Sequence, residues 1–169
     1  MSSTRTMGIS VTDVSTAADG AKLPLGFEYH EPASGDDTGA KVWIYVEAAS
    51  AFDQGAIAIR AAGIQTAKVI ENPGDADIPA VRVMGVAQHT IASGSFGFIL
   101  RRGIGEVQKD NAGIAADVEL ICTDAGTGHA GRACINSGGG TSDVFAFGLD
   151  ADSATVGGEL ITSLIDCRG

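Results

Sequence analysis

The segment from Ile78 to Gln108, IPAVRVMGVAQHTIASGSFGFILRRGIGEVQ, constrains the fold of this chain more than any other. It divides into three apolar runs, AVRVMGVA, GSFGFILRR and IGEVQ, which read as short strands joined by turns of a few residues. The first joint, His89 to Gly94, is rich in the small polar residues and glycine that set turn geometry. The second is Arg102-Gly103, where glycine can take a positive φ and allow a tight reversal. No acid, base or ligand pair stands out within it. The segment predicts a compact β meander, not an active site.

The rest of the chain continues the pattern from Lys41 onward. Lys41 to Val46, KVWIYV, mixes β-branched and aromatic residues and predicts a strand. Ala48 to Ala62 is rich in alanine, which favours helix. Asp53-Gln54-Gly55 interrupts it, however, and Ala56 to Arg60 alternates with period two, so a turn followed by a strand is expected. Further strands are expected at Thr66–Ile70, Asp117–Thr123, Val144–Leu149 and Glu159–Ile165. With 44% hydrophobic residues and only 19% charged, the chain is not of disordered composition, and at 5% aromatics its core must come from Val, Ile, Leu and Ala. Its 169 residues suit one domain. The fold class expected is all-β, a barrel or sandwich spanning residues 41–169.

Residues 1–40 are different: polar, turn-rich, and alternating only at Gly26-Phe27-Glu28-Tyr29. They read as an extended arm or irregular lead-in, either loose or ordered against a partner. The spaced set Leu23, Leu25, Phe27 and Tyr29 supplies the candidate partner contacts, acting by packing and strand pairing.

Gly85-Val86-Ala87, Ile91-Ala92-Ser93-Gly94, Gly97-Phe98-Ile99-Leu100 and Gly103 carry a resemblance. A strand ending in G-V-A, a turn through I-A-S-G, then G-x-x-G-F-I-L-x-x-G and a return strand are similar to the small head decoration (cement) proteins of tailed bacteriophages. The likeness extends over residues 40–167. It implies a structural virion protein, made in the host bacterial cytoplasm, that binds the major capsid protein on the outer surface of the head and stabilises the shell. It also implies a homo-oligomer, a trimer being favoured, with a terminal arm on the shell or on a sister subunit.

Charge and cysteine content narrow the alternatives. The net charge is −10, and acids outnumber bases in both halves, so a nucleic-acid partner is not expected. Arg101-Arg102 is the one basic run, and a regular pleat would point its two side chains to opposite faces. No apolar stretch is long enough to span a bilayer, and MSSTRTMGIS has no signal-peptide core. Cys122, Cys134 and Cys167 are odd in number and irregular in spacing, which argues for free thiols rather than a disulfide framework.

Gly126-Thr127-Gly128-His129-Ala130-Gly131 matches G-x-G-x-x-G, but too few residues follow for the helix that holds a pyrophosphate. Cys122, Asp124, His129 and Cys134 lack the paired spacing of a zinc site. His30, His89 and His129 lie far apart and read as loop or surface residues. Ser93-Gly94-Ser95-Phe96-Gly97 has the wrong order for a nucleophile elbow. Asp36-Asp37 and Asp75-x-Asp77 lack EF-hand spacing and read as solvated turns. No catalytic residue, cofactor or metal is expected. Two other functions stay open: a small β-fold hydrolase using carboxylates, which would need convergent acids in a pocket, and a carbohydrate-binding or tail-associated module. The latter would need exposed aromatic platforms, for which only Tyr29, Trp43 and Tyr45 are candidates among the Trp and Tyr residues.

Overall fold

β-Branched and aromatic residues fill Lys41–Ala48, and successive side chains of a strand face opposite ways. Trp43 and Tyr45 enter one apolar cluster while Ile44, Val46 and Ala48 enter another, so this strand is buried on both faces. That is the organising fact of the fold. The computed structural model describes residues 5–6, 8–33, 39–61, 67–71, 82–110, 113–122, 132–135, 144–152 and 157–167.

The strands, in chain order, are β1 (Arg5–Thr6), β2 (Ile9–Ser10), β3 (Glu28–Glu31), β4 (Lys41–Ala48), β5 (Ile57–Arg60) and β6 (Lys68–Glu71). They continue with β7 (Val83–Val86), β8 (Phe96–Gln108), β9 (Val118–Cys122), β10 (Ala133–Ile135), β11 (Ala146–Gly148) and β12 (Leu160–Asp166). Five of them close on themselves: β4 pairs with β6 in parallel, and β6–β5, β5–β7, β7–β8 and β8–β4 are antiparallel. The result is a five-stranded barrel with extra strands, as the all-β expectation required. Closure removes the exposed edges that an open sheet would leave in the barrel wall. Outside it, β3 adds to β4, and β12, β11, β9 and β10 extend from β8 as an outer sheet. The second apolar cluster draws on barrel strands and their turns, whereas the first also takes Leu120, Phe145, Ile161 and Ile165 from the outer sheet. The barrel and the outer sheet therefore share the first cluster.

Ala48 to Ala61 contains no helix: Gln54-Gly55 turns and β5 follows. Asp53 to Gly55 is thus the punctuation the sequence indicates.

The structure differs at Arg102-Gly103, which is a bend within β8 and not a reversal. Before it, Phe96–Leu100 pairs with β4; beyond it, Arg102–Gln108 pairs with β12. Gly103 has φ +119°, a backbone state L-residues avoid, and a Cβ there would stand 2.9 Å from the Ala40 carbonyl oxygen. The glycine signal was real, but it lets one strand pass from barrel to outer sheet.

The segment preceding β4 is packed on the domain. Residues 8–31 lie along the barrel. Val11 and Leu23 are buried in the main cluster, and Leu25, Phe27 and Tyr29 pack against it. Tyr45 anchors this run: its hydroxyl lies 3.0 Å from Ser15 Oγ and accepts a bond from Lys22 N at 3.1 Å. Its carbonyl accepts from Gly26 N, and its amide donates to the Phe27 carbonyl. Glu28 to Glu31 then pairs with Ile44 to Lys41. Leu23, Leu25, Phe27 and Tyr29 are spaced by two, and although Leu25-Gly26 turns, with Phe27 N donating to the Pro24 carbonyl, all four meet the domain's own core.

Candidate interface

β12, LITSLID, alternates cleanly in burial: Ile161, Ser163 and Ile165 are buried, while Leu160 and Leu164 point outward. Residues directly opposite each other in an antiparallel pair share a face. Leu164 faces Ile104 on β8 and Phe147 on β11, and Phe147 faces Glu119 on β9. A row thus crosses four strands, Ile104–Leu164–Phe147–Glu119, on the outward side of the sheet. Leu160 lies four residues from Leu164 on the same side of β12, with Thr162 between them, and Leu149, just past β11, donates its amide to the Thr162 carbonyl. Of the exposed large hydrophobic residues among those described (Val14, Phe147, Leu149, Leu160 and Leu164), four belong to this face. Grouping of that kind, and not the exposure of any single leucine, marks an interaction surface. Polar groups border it: Arg102 Nε lies 2.9 Å from Asp166 Oδ1 at one end, and on β8 Glu106 stands beside Ile104, opposite Thr162. An apolar centre with a polar rim is the usual anatomy of a protein contact.

A separate cavity of about 400 Å³ is lined by Glu28, His30, Val42, Arg101, Arg102 and Cys167. Both arginines reach it, in contrast to the opposite faces expected of a regular pleat. The register shift between Val42 and Trp43 breaks the pleat at this point. Arg101 is paired with Glu28 and Arg102 with Asp166, so each guanidinium has a carboxylate of its own. His30 Nε2 lies 3.8 Å from the same Glu28.

The other residues singled out in the sequence are dispersed. Leu23, Leu25, Phe27 and Tyr29 serve the chain's own core as described above. Tyr29 stands opposite Trp43, whose indole N–H donates to Glu31 Oε2 at 2.8 Å, and Trp43 and Tyr45 are buried. Cys122 and Cys134 occupy β9 and β10, and Cys167 is a buried free thiol. Asp36, Asp37, Asp75, Asp77, Asp124 and His129, with the Gly126–Gly131 motif, lie outside the described residues. His89 departs from the surface reading. Both ring nitrogens are shielded from solvent without a hydrogen-bond partner among the described residues, and burial pushes the imidazole below its ordinary pKa. A Cβ at Gly97 would meet this ring at an ordinary contact distance and Ile91 Cδ1 more tightly, at 3.2 Å.

No family model matches the sequence, and no curated protein matches it. Among solved structures, the N base of the head fiber gp8.5 of bacteriophage phi29 is similar to this chain in fold, with a TM-score of 0.50 and 14% identity, over 73% of this chain and 92% of that one.

Proposed function

We propose that this protein is a structural component of a bacteriophage head: a decoration protein that binds the major capsid protein on the outer surface and reinforces the shell. The observation that carries the reading is the fold shared with a phage head fiber base over nearly all of that chain's length. Its agreement with the cement-protein pattern in Gly85–Gly103 comes from the sequence alone. The protein acts by binding and not by catalysis, and it works as a homo-oligomer, with three copies favoured. The outward face of β11 and β12 supplies the contact, its apolar row giving the buried centre. Many identical copies on a lattice make modest single contacts add up. The charge of −10 keeps decorated particles apart in solution.

The test is to incubate the purified chain with heads assembled from the major capsid protein of the same genome and stripped of accessory proteins. Saturable co-sedimentation and a higher temperature of head disruption are expected. Absence of binding at saturating protein would overturn the proposal.

A further inference from the structure

Lys109, immediately after β8, has a side chain fully withdrawn from solvent, which is rare for lysine without a specific partner. Its Nζ lies 3.2 Å from Asp152 Oδ2 and 3.2 Å from Glu159 Oε2. Backbone hydrogen bonds fix all three residues. Lys109 N donates to the Glu159 carbonyl and Gly158 N to the Lys109 carbonyl, both at 2.9 Å; Asp152 and Ile114 exchange two bonds of 2.7 Å. An amine and a carboxyl group are thus held in contact by two separate backbone bridges, Lys109 with Ala133 and Asp152 with Ile114, the arrangement that turns a slow bimolecular condensation into an intramolecular one. The Lys109 ammonium thus lies within ion-pair distance of two carboxylates. The two differ: the Asp152 side chain is 26% exposed, while that of Glu159 is 43% exposed and reaches solvent.

We propose that Lys109 and Asp152 condense to an intramolecular amide, with Glu159 as the proton carrier. A proton passes from the Lys109 ammonium to the Asp152 carboxylate, leaving a neutral amine beside a neutral carboxyl group. The Nζ lone pair attacks Asp152 Cγ, and the carbonyl π pair moves to oxygen. Glu159 removes a proton from the nitrogen. The carbonyl then re-forms as the C–OH bond breaks, and Glu159 returns its proton to the departing hydroxide, releasing water. Charge and atoms balance, Glu159 ends as it began, and no further reactant is needed. The bond would tie the end of β8 covalently to the segment following β11, so the outer sheet could not peel from the barrel strand at that end.

The test is the mass of the denatured full-length protein, followed by mass spectrometry of its proteolytic peptides. The proposal expects the loss of one water from the calculated mass and a branched peptide joining the Lys109 and Asp152 segments. Asp152→Ala should restore the full mass, and Glu159→Gln should leave most of a folded population uncrosslinked. Folding of each variant is checked by circular dichroism. A wild-type chain that keeps its full mass after prolonged incubation at neutral pH would overturn the proposal, and the three residues would then be an ion-paired cluster only. A branch through Glu159, or full crosslinking in Glu159→Gln, would overturn the assigned roles.

Discussion

Leu164 of β12 lies directly opposite Phe147 of β11 on the outward face of the sheet, and the two remain 42% and 40% exposed. Their neighbours one residue along, Ile165 and Ala146, are buried opposite each other in the core. The same pair of strands therefore presents two apolar faces and covers only one of them within the chain.

Replacing Phe147 and Leu164 together by serine should shift the protein toward monomer in sedimentation equilibrium and weaken attachment to heads. Because both side chains face away from the core, the unfolding free energy should change little, by about 0.5 kcal/mol per site or less. An unchanged oligomer distribution together with unchanged head binding would remove this face from the interface.

Gly103→Ala should destabilise the fold by roughly 1–3 kcal/mol, since alanine must adopt a strained positive φ and its Cβ meets the Ala40 carbonyl oxygen. Equilibrium urea unfolding measures this directly. A variant as stable as the wild type would show that β8 can bend without the glycine conformation.

The segment before β4 should behave as part of the domain. Leu23→Ala should cost about 2–4 kcal/mol, the range for a truncated core leucine. Deleting residues 1–30 should abolish the cooperative unfolding transition, because Val11, Leu23 and the bonds to Tyr45 go with it. A deletion variant that retained a sharp transition would restore the separable-arm reading.

Acidification should weaken the fold through His89. Burial lowers its folded pKa below the ordinary value of 6.5, so above 6.5 the ring is neutral in both states. Below 6.5 the unfolded chain takes up the proton first, and stability falls as the pH drops toward the folded pKa. The urea midpoint at pH 5 should lie below that at pH 7, and His89→Leu should reduce the difference. An identical pH dependence in the variant would assign the acid sensitivity to other groups.

Much of the fold is legible in the residues. Period-two alternation in Ala56–Arg60 against the alanine content, and the dense β-branched and aromatic run at Lys41–Val46, each correspond to strands β5 and β4. The reading fails where one residue type serves two geometries. Gly103 permits both a reversal and a bend, and only the pairing of Gly103 with Ile165 shows that the strand continues. Leu23 to Tyr29 has a strand's spacing among polar neighbours, and its destination depends on Tyr45, sixteen or more residues away in sequence. β10, only Ala133–Ile135, is too short to carry a pattern at all.

The candidate interface illustrates the division most directly. In LITSLID both parities contain large apolar side chains, so hydropathy alone cannot say which face is covered. Local preference determined that these residues form a strand, through β-branched content and alternation. Which leucines lie outside was decided by register: β12 pairs with the far half of β8, and that placement turns Ile161 and Ile165 onto the barrel's core while leaving Leu160 and Leu164 to solvent. A shift of one residue would exchange the two sets, and the choice is made by burial against distant strands, an energy no local stretch of sequence contains.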